Sequence, residues 1–156
     1  MTALYLTLLL PLTATLILAV VGHRPLAGSL NILFALATFI SAAFCALEVF
    51  HQGSMISPDQ MFYLDAFNVY LVLVNTLVGF TTAIFSRPYM AHELAIGRVD
   101  APRMRLYHAM YQGFLLTMLV ALTTNNLGIL WVAVEGATLA TVLLVSLYRT
   151  PESIEA

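Results

Sequence analysis

One carboxylate stands apart from the other acids of this chain. Glu135 lies inside the apolar run Leu127-Gly128-Ile129-Leu130-Trp131-Val132-Ala133-Val134-Glu135-Gly136, which continues without another charge to Tyr148. Helical rise sets it roughly 12 Å in from Leu127, close to the middle of a bilayer core about 30 Å thick. An ionised group at that depth costs about 2.5–3.5 kcal/mol, so intramembrane acids face a bundle interior or water and often mark proton or ion paths. Trp131, Glu135, Thr138 and Val142 recur at helical spacing and share one face, which is expected to point inward. No arginine falls in an apolar span, so without a cation from another chain Glu135 is expected to be neutral, or hydrated and hydrogen-bonded, for example to Thr138.

Two further residues carry chemistry. His108, near the entry of an apolar span, is of the type that relays protons at neutral pH, but a histidine at a helix mouth is more often a plain interfacial group. Asp65 immediately precedes another span, where a carboxylate caps free N–H groups and is favoured by the helix dipole. The single cysteine, Cys45, sits in an apolar segment, so neither a disulfide framework nor a Cys/His metal spacing exists. No motif for a metal or a redox cofactor is present.

The elements that must hold these residues are membrane helices. Hydrophobic residues make up 61% of the chain and charged ones 9%, and the mean hydropathy is +0.92. Those values belong to an integral membrane protein. A net charge of −2 offers no basic surface for nucleic acid. The expected architecture is an all-α, polytopic helix bundle with spans near residues 2–22, 26–47, 66–86, 106–124 and 127–148, forming one transmembrane domain over residues 1–156. The first span lacks the basic start and cleavage site of a secretory signal and is read as a retained helix, kinked at Pro11.

Between the spans, residues 51 to 63 are rich in turn formers and read as a loop or interfacial segment. Arg87 to Arg105 contains six charges and two prolines and reads as a polar loop, with or without a short interfacial helix. Glu48 is placed to snorkel from a helix end, while Asn75, Thr81 and Thr82 suit interhelical hydrogen bonds. Gly136 with Ala140, and Ala133 with Ala137, let another backbone come close to the fifth helix. All six arginines fall in the 1–2 and 3–4 connections and at the C-terminal end; the 2–3 and 4–5 connections have none. The positive-inside rule then puts the N-terminus outside and the C-terminus in the cytoplasm.

Four stretches carry a resemblance: Leu64-Asp65-Ala66-Phe67; Phe85-Ser86-Arg87-Pro88-Tyr89-Met90 with Glu93; the Arg105 to Tyr111 entry; and Asn125 to Glu135 continuing through Thr141. They resemble the proton-translocating, antiporter-like subunits shared by respiratory complex I, Mrp-type cation/proton antiporters and energy-converting hydrogenases. The last stretch looks most like hydrogenase 4 component F and its relatives. The first two helices match in hydropathy alone. The resemblance implies that Glu135 is the glutamate which, in that family, pairs with a lysine on a later helix to gate proton movement. This chain contains no lysine.

Its ending, Pro151-Glu152-Ser153-Ile154-Glu155-Ala156, falls where relatives continue into more helices. The chain therefore resembles the N-terminal portion of a larger subunit. The resemblance implies a multi-pass protein of the bacterial inner membrane, touching lipid, protons and other membrane subunits of a hydrogenase or complex I-like assembly, with redox chemistry done elsewhere. Three other readings stand beside it: an inert assembly element, an Mrp-type antiporter subunit, and a small autonomous channel.

Overall fold

The computed structural model describes residues 1–148. Five helices follow in order: α1 (Thr2–Val21), α2 (Ala27–Gln52), α3 (Ala66–Ala95), α4 (Ala101–Thr123) and α5 (Leu127–Val145), the last closing in a 3-10 turn at Ser146–Tyr148. All five are long and apolar enough to cross a membrane. The chain is an all-α, multi-pass membrane protein. The stop expected at Arg149-Thr150-Pro151, and everything after it, lies outside the described residues.

Helices α1 to α4 close into a ring. Helix α1 packs on α2 and α4, α3 packs on the same two, and α2 touches α4 across the middle. Lipid tails are as apolar as leucine, so close backbone approach rather than the hydrophobic effect must hold such helices together. Accordingly α2 buries small side chains at steps of three and four: Ala27, Asn31, Ala35, Thr38, Ala42, Cys45 and Val49. Helix α1 answers with Leu4, Thr7, Pro11, Ala14 and Leu18. Pro11 leaves one carbonyl without its helical donor, and α1 runs through it with Pro11 buried against its neighbours. Helix α5 lies outside the ring, chiefly against α4.

The segment expected as a polar loop, with at most a short interfacial helix, is mostly the ends of two long helices. Helix α3 runs 30 residues, through Arg87 and Pro88 to Ala95. That is about 45 Å, longer than a bilayer core, so charges in its last turns stand clear of the hydrocarbon. Asp100 then caps α4, accepting from the Arg103 N–H at 3.0 Å, and Pro102 occupies the first turn, where its missing N–H is harmless. The true connection is the short stretch 96–100. Gly97 makes its turn with φ +73°. Glu93 is buried there and lies 3.6 Å from the exposed Arg98 guanidinium. In this segment Asp100 and Pro102 mark the start of α4, whereas Arg87 and Pro88 lie inside α3.

The 51–63 segment forms a small hairpin. Strands β1 (Met55–Ile56) and β2 (Tyr63–Leu64) pair antiparallel. In its turn Asp59 accepts from the Ser57 hydroxyl and from the Met61 N–H at 3.2 Å. These bonds hold the Asp59 carboxyl below its ordinary range, the Ser57 contact contributing most. The hairpin then reaches the α4–α5 turn: Asn125 N–H donates to the Met61 carbonyl at 2.7 Å, and Asn125 Nδ2 donates to the Gln60 carbonyl at 3.1 Å.

Candidate functional site

Helix α5 is seated by the small residues that its sequence offers. Ala133, Ala137 and Ala140 are buried, and a Cβ added at Gly136 would lie 2.9 Å from Thr117 Cγ2 on α4. Only glycine allows that approach. At the start of the helix Asn126 caps it, its Oδ1 accepting from the N–H groups of Gly128 at 2.9 Å and Ile129 at 3.2 Å.

Seating α5 on its alanines turns Glu135 the other way. Glu135 is exposed, as are Trp131 at 71% and Val142 at 57%. The expectation that this stripe points inward is therefore corrected: within the described helices it faces outward. Two faces competed on this helix, and the alanine-glycine face won because it permits the closer backbone contact. The bond suggested from Thr138 to Glu135 is also absent, because the Thr138 hydroxyl donates to the Val134 carbonyl of its own helix at 3.0 Å. Among the described residues Glu135 has neither a hydrogen-bond partner nor an ion pair.

Asp65 acts as the cap its position suggests. Its Oδ1 accepts from Phe67 N–H at 2.9 Å and Asn68 N–H at 2.8 Å. Asn68 Oδ1 in turn accepts from the Asp65 N–H at 2.7 Å. The carboxylate is thus committed to starting α3.

His108 departs from the interfacial reading. Because α4 begins at Ala101, His108 stands two turns inside the helix, and it is only 4% exposed. Its ring meets Tyr107 edge-on with centroids 5.2 Å apart. Its Nδ1 has no partner among the described residues. The ring closes a cavity of about 280 Å³ also lined by His23, Arg24, Gly28, Arg87 and Met104. His108 and Glu135 are not brought together, since one lies within the ring and the other on its outside.

One feature was missed in the sequence. One turn beyond His108, the fully buried Gln112 Nε2 donates to Asn31 Oδ1 at 2.7 Å and to the Asn31 carbonyl at 3.2 Å, tying α4 to α2. Thr7 likewise donates to Ser41 at 2.9 Å, tying α1 to α2. Two amides in apolar spans, Asn31 and Gln112, were the available signal. Thr81, expected to bond between helices, donates to Leu77 and Val78 of its own helix. Asn75 Nδ2 is left without a partner among the described residues, beside a cavity of about 110 Å³ that Tyr111 and Thr82 help to line.

These observations define a polytopic helical membrane protein with a ring of four helices and a fifth carrying a mid-span acid on its outer face. No family model matches the chain. Among curated proteins, the hydrogenase-4 component F homolog of Methylacidiphilum infernorum (isolate V4) is 40% identical to it over 149 residues, 96% of this chain and 30% of the relative. The resemblance read from the motifs holds, and it is broader than they indicated, reaching into the first two helices as well. The chain spans less than a third of that relative's length.

Proposed function

We propose that this chain is the N-terminal part of a proton-translocating membrane subunit of a hydrogenase-type or complex I-like oxidoreductase in a bacterial cell membrane, with Glu135 as its protonatable gate. One observation carries the reading: a mid-span carboxylate, unpaired among the described residues, on the exposed face of a helix docked by its opposite face. A carboxylate at mid-span is costly against lipid, and acids so placed commonly face water or a partner along proton or ion paths. The outward face is where further helices of such a subunit would pack and bring a cationic partner. The 40% identity to a hydrogenase-4 component F homolog supports the assignment. Electron transfer would be the work of other subunits.

The test is Glu135→Gln in the assembled complex. Glutamine keeps the shape and cannot release a proton, so proton translocation measured in vesicles is expected to vanish while the subunit remains assembled. Unchanged pumping would overturn the gate.

A second reading, an assembly element without transport of its own, draws on the absence of lysine from the chain. It predicts that Glu135→Gln leaves pumping intact and that removing the chain dissociates its neighbours.

A further inference from the structure

The cavity under His108 is charged in a way that the proton-gate reading does not use. Arg24 comes from the α1–α2 turn and Arg87 from α3, and both line it together with His23. Among the described residues neither guanidinium has an acidic partner. The neighbouring acids are engaged elsewhere: Glu93 lies 3.6 Å from Arg98, and Asp100 lies 3.9 Å from Arg103. Two unpaired arginines therefore share one concavity. Gly28 admits one of them, since a Cβ there would stand 3.0 Å from Arg87 Cγ, so the arginine stem lies close over the first turn of α2. The inner wall carries His108, almost wholly buried, with an Nδ1 that no described residue satisfies.

Size and setting point to the ligand. The volume of about 280 Å³ is near the lower edge of small-molecule sites. The cavity lies at the arginine-rich end of the helices, the end that the positive-inside rule assigns to the cytoplasm. Leu26 beside it is 68% exposed and Leu94 on its rim is 42% exposed, so apolar surface continues outward from the charged centre. Guanidinium groups bind phosphate oxygens through paired N–H donors. Basic pockets between helices on a cytoplasmic face suit lipid headgroups.

We propose that this cavity binds a phosphate-bearing anion, either the headgroup of an anionic phospholipid or free phosphate, through Arg24 and Arg87. The proposal is independent of Glu135, and neither one stands or falls with the other.

The full chain, purified in mild detergent with phosphatidylglycerol, can be weighed by native mass spectrometry. One lipid per chain is expected to stay bound, with at least a tenfold loss of occupancy in Arg24→Gln/Arg87→Gln and none in Arg105→Gln, an arginine at the same end but outside the cavity. Inorganic phosphate titrated into the wild-type sample distinguishes the sources. Failure to displace the lipid assigns the site to lipid, whereas displacement, with phosphate retained by the wild type and not by the double variant, assigns it to free phosphate. Equal occupancy in wild type and double variant, or equal loss in Arg105→Gln, would overturn the site. Should the double variant not fold, Arg24→Gln alone, in an exposed turn, gives the same readout with a smaller loss.

Discussion

The ring of α1 to α4 and the fifth helix handle polar groups in opposite ways. Inside the ring they are buried, and two pairs bond across helices: Gln112 to Asn31 across α4 and α2, Thr7 to Ser41 across α1 and α2. On α5 the inner face is alanine and glycine, and the one carboxylate stands outside without a partner among the described residues. A buried amide pair fixes which turns of two helices meet, because any slip leaves its donors and acceptors unsatisfied. An apolar small-residue seam fixes distance instead, and leaves the opposite face open for other contacts. The ring is settled by paired polar groups, and α5 leaves its acid-bearing face open.

The largest effect should follow from closing the gap between α5 and the ring. Gly136→Leu drives a side chain into Thr117 and is expected to separate α5 from α4, with a loss at the upper end of the roughly 1–3 kcal/mol typical of overpacking. Disulfide trapping between cysteines placed on the two helices would report it, and undiminished trapping would show that the seam tolerates bulk.

Next comes Gln112→Leu, which strands the Asn31 amide inside the ring. Membrane double-mutant cycles put such couplings at about 0.6 kcal/mol on average and up to about 1.7. Paired with Asn31→Leu in a cycle read by thermal unfolding in detergent, a coupling of about 1 kcal/mol is expected; strict additivity would remove the pair from the account. Asp65→Ala should cost about 1 kcal/mol by uncapping α3, with Asp65→Asn recovering most of it.

The smallest effect sharpens the contrast. Glu135→Gln should change the stability of the isolated chain by less than about 0.5 kcal/mol, as for other surface positions away from specific contacts. The same substitution is expected to abolish pumping in the complex. A large destabilisation of the isolated chain would mean that Glu135 holds the fold together rather than serving transport.

Much of this was legible in the sequence, and the lapses have physical causes. Helices of uncharged residues are read easily, because a bilayer demands about twenty apolar residues per crossing whatever the packing. Asp65 was legible because a cap depends on residues three positions away. The stretch from Arg87 to Arg105 was not, since charges and prolines discourage a membrane core but not a helix that has already left it. His108 was placed at a helix mouth, as an interfacial group, by that same misplacement of the α4 start. The direction of Glu135 was obscured by a tie: two stripes on α5 both have helical period, and only the identity of the neighbour decides between them. Asn31 and Gln112 lie 81 positions apart, and no local pattern links them.

The hairpin at 55–64 gives α5 a mechanical character. Its Met61 and Gln60 carbonyls accept hydrogen bonds from Asn125 just before the helix begins, whereas farther along the seam the contacts with α4 come from small apolar side chains. Were such a rod to tilt, its held end would be the pivot. For a rigid tilt about that pivot, Glu135, roughly 12 Å along, travels less than half as far as Val145, roughly 27 Å along. A push on the far end of α5 is therefore delivered to the carboxylate as a smaller, geared-down displacement.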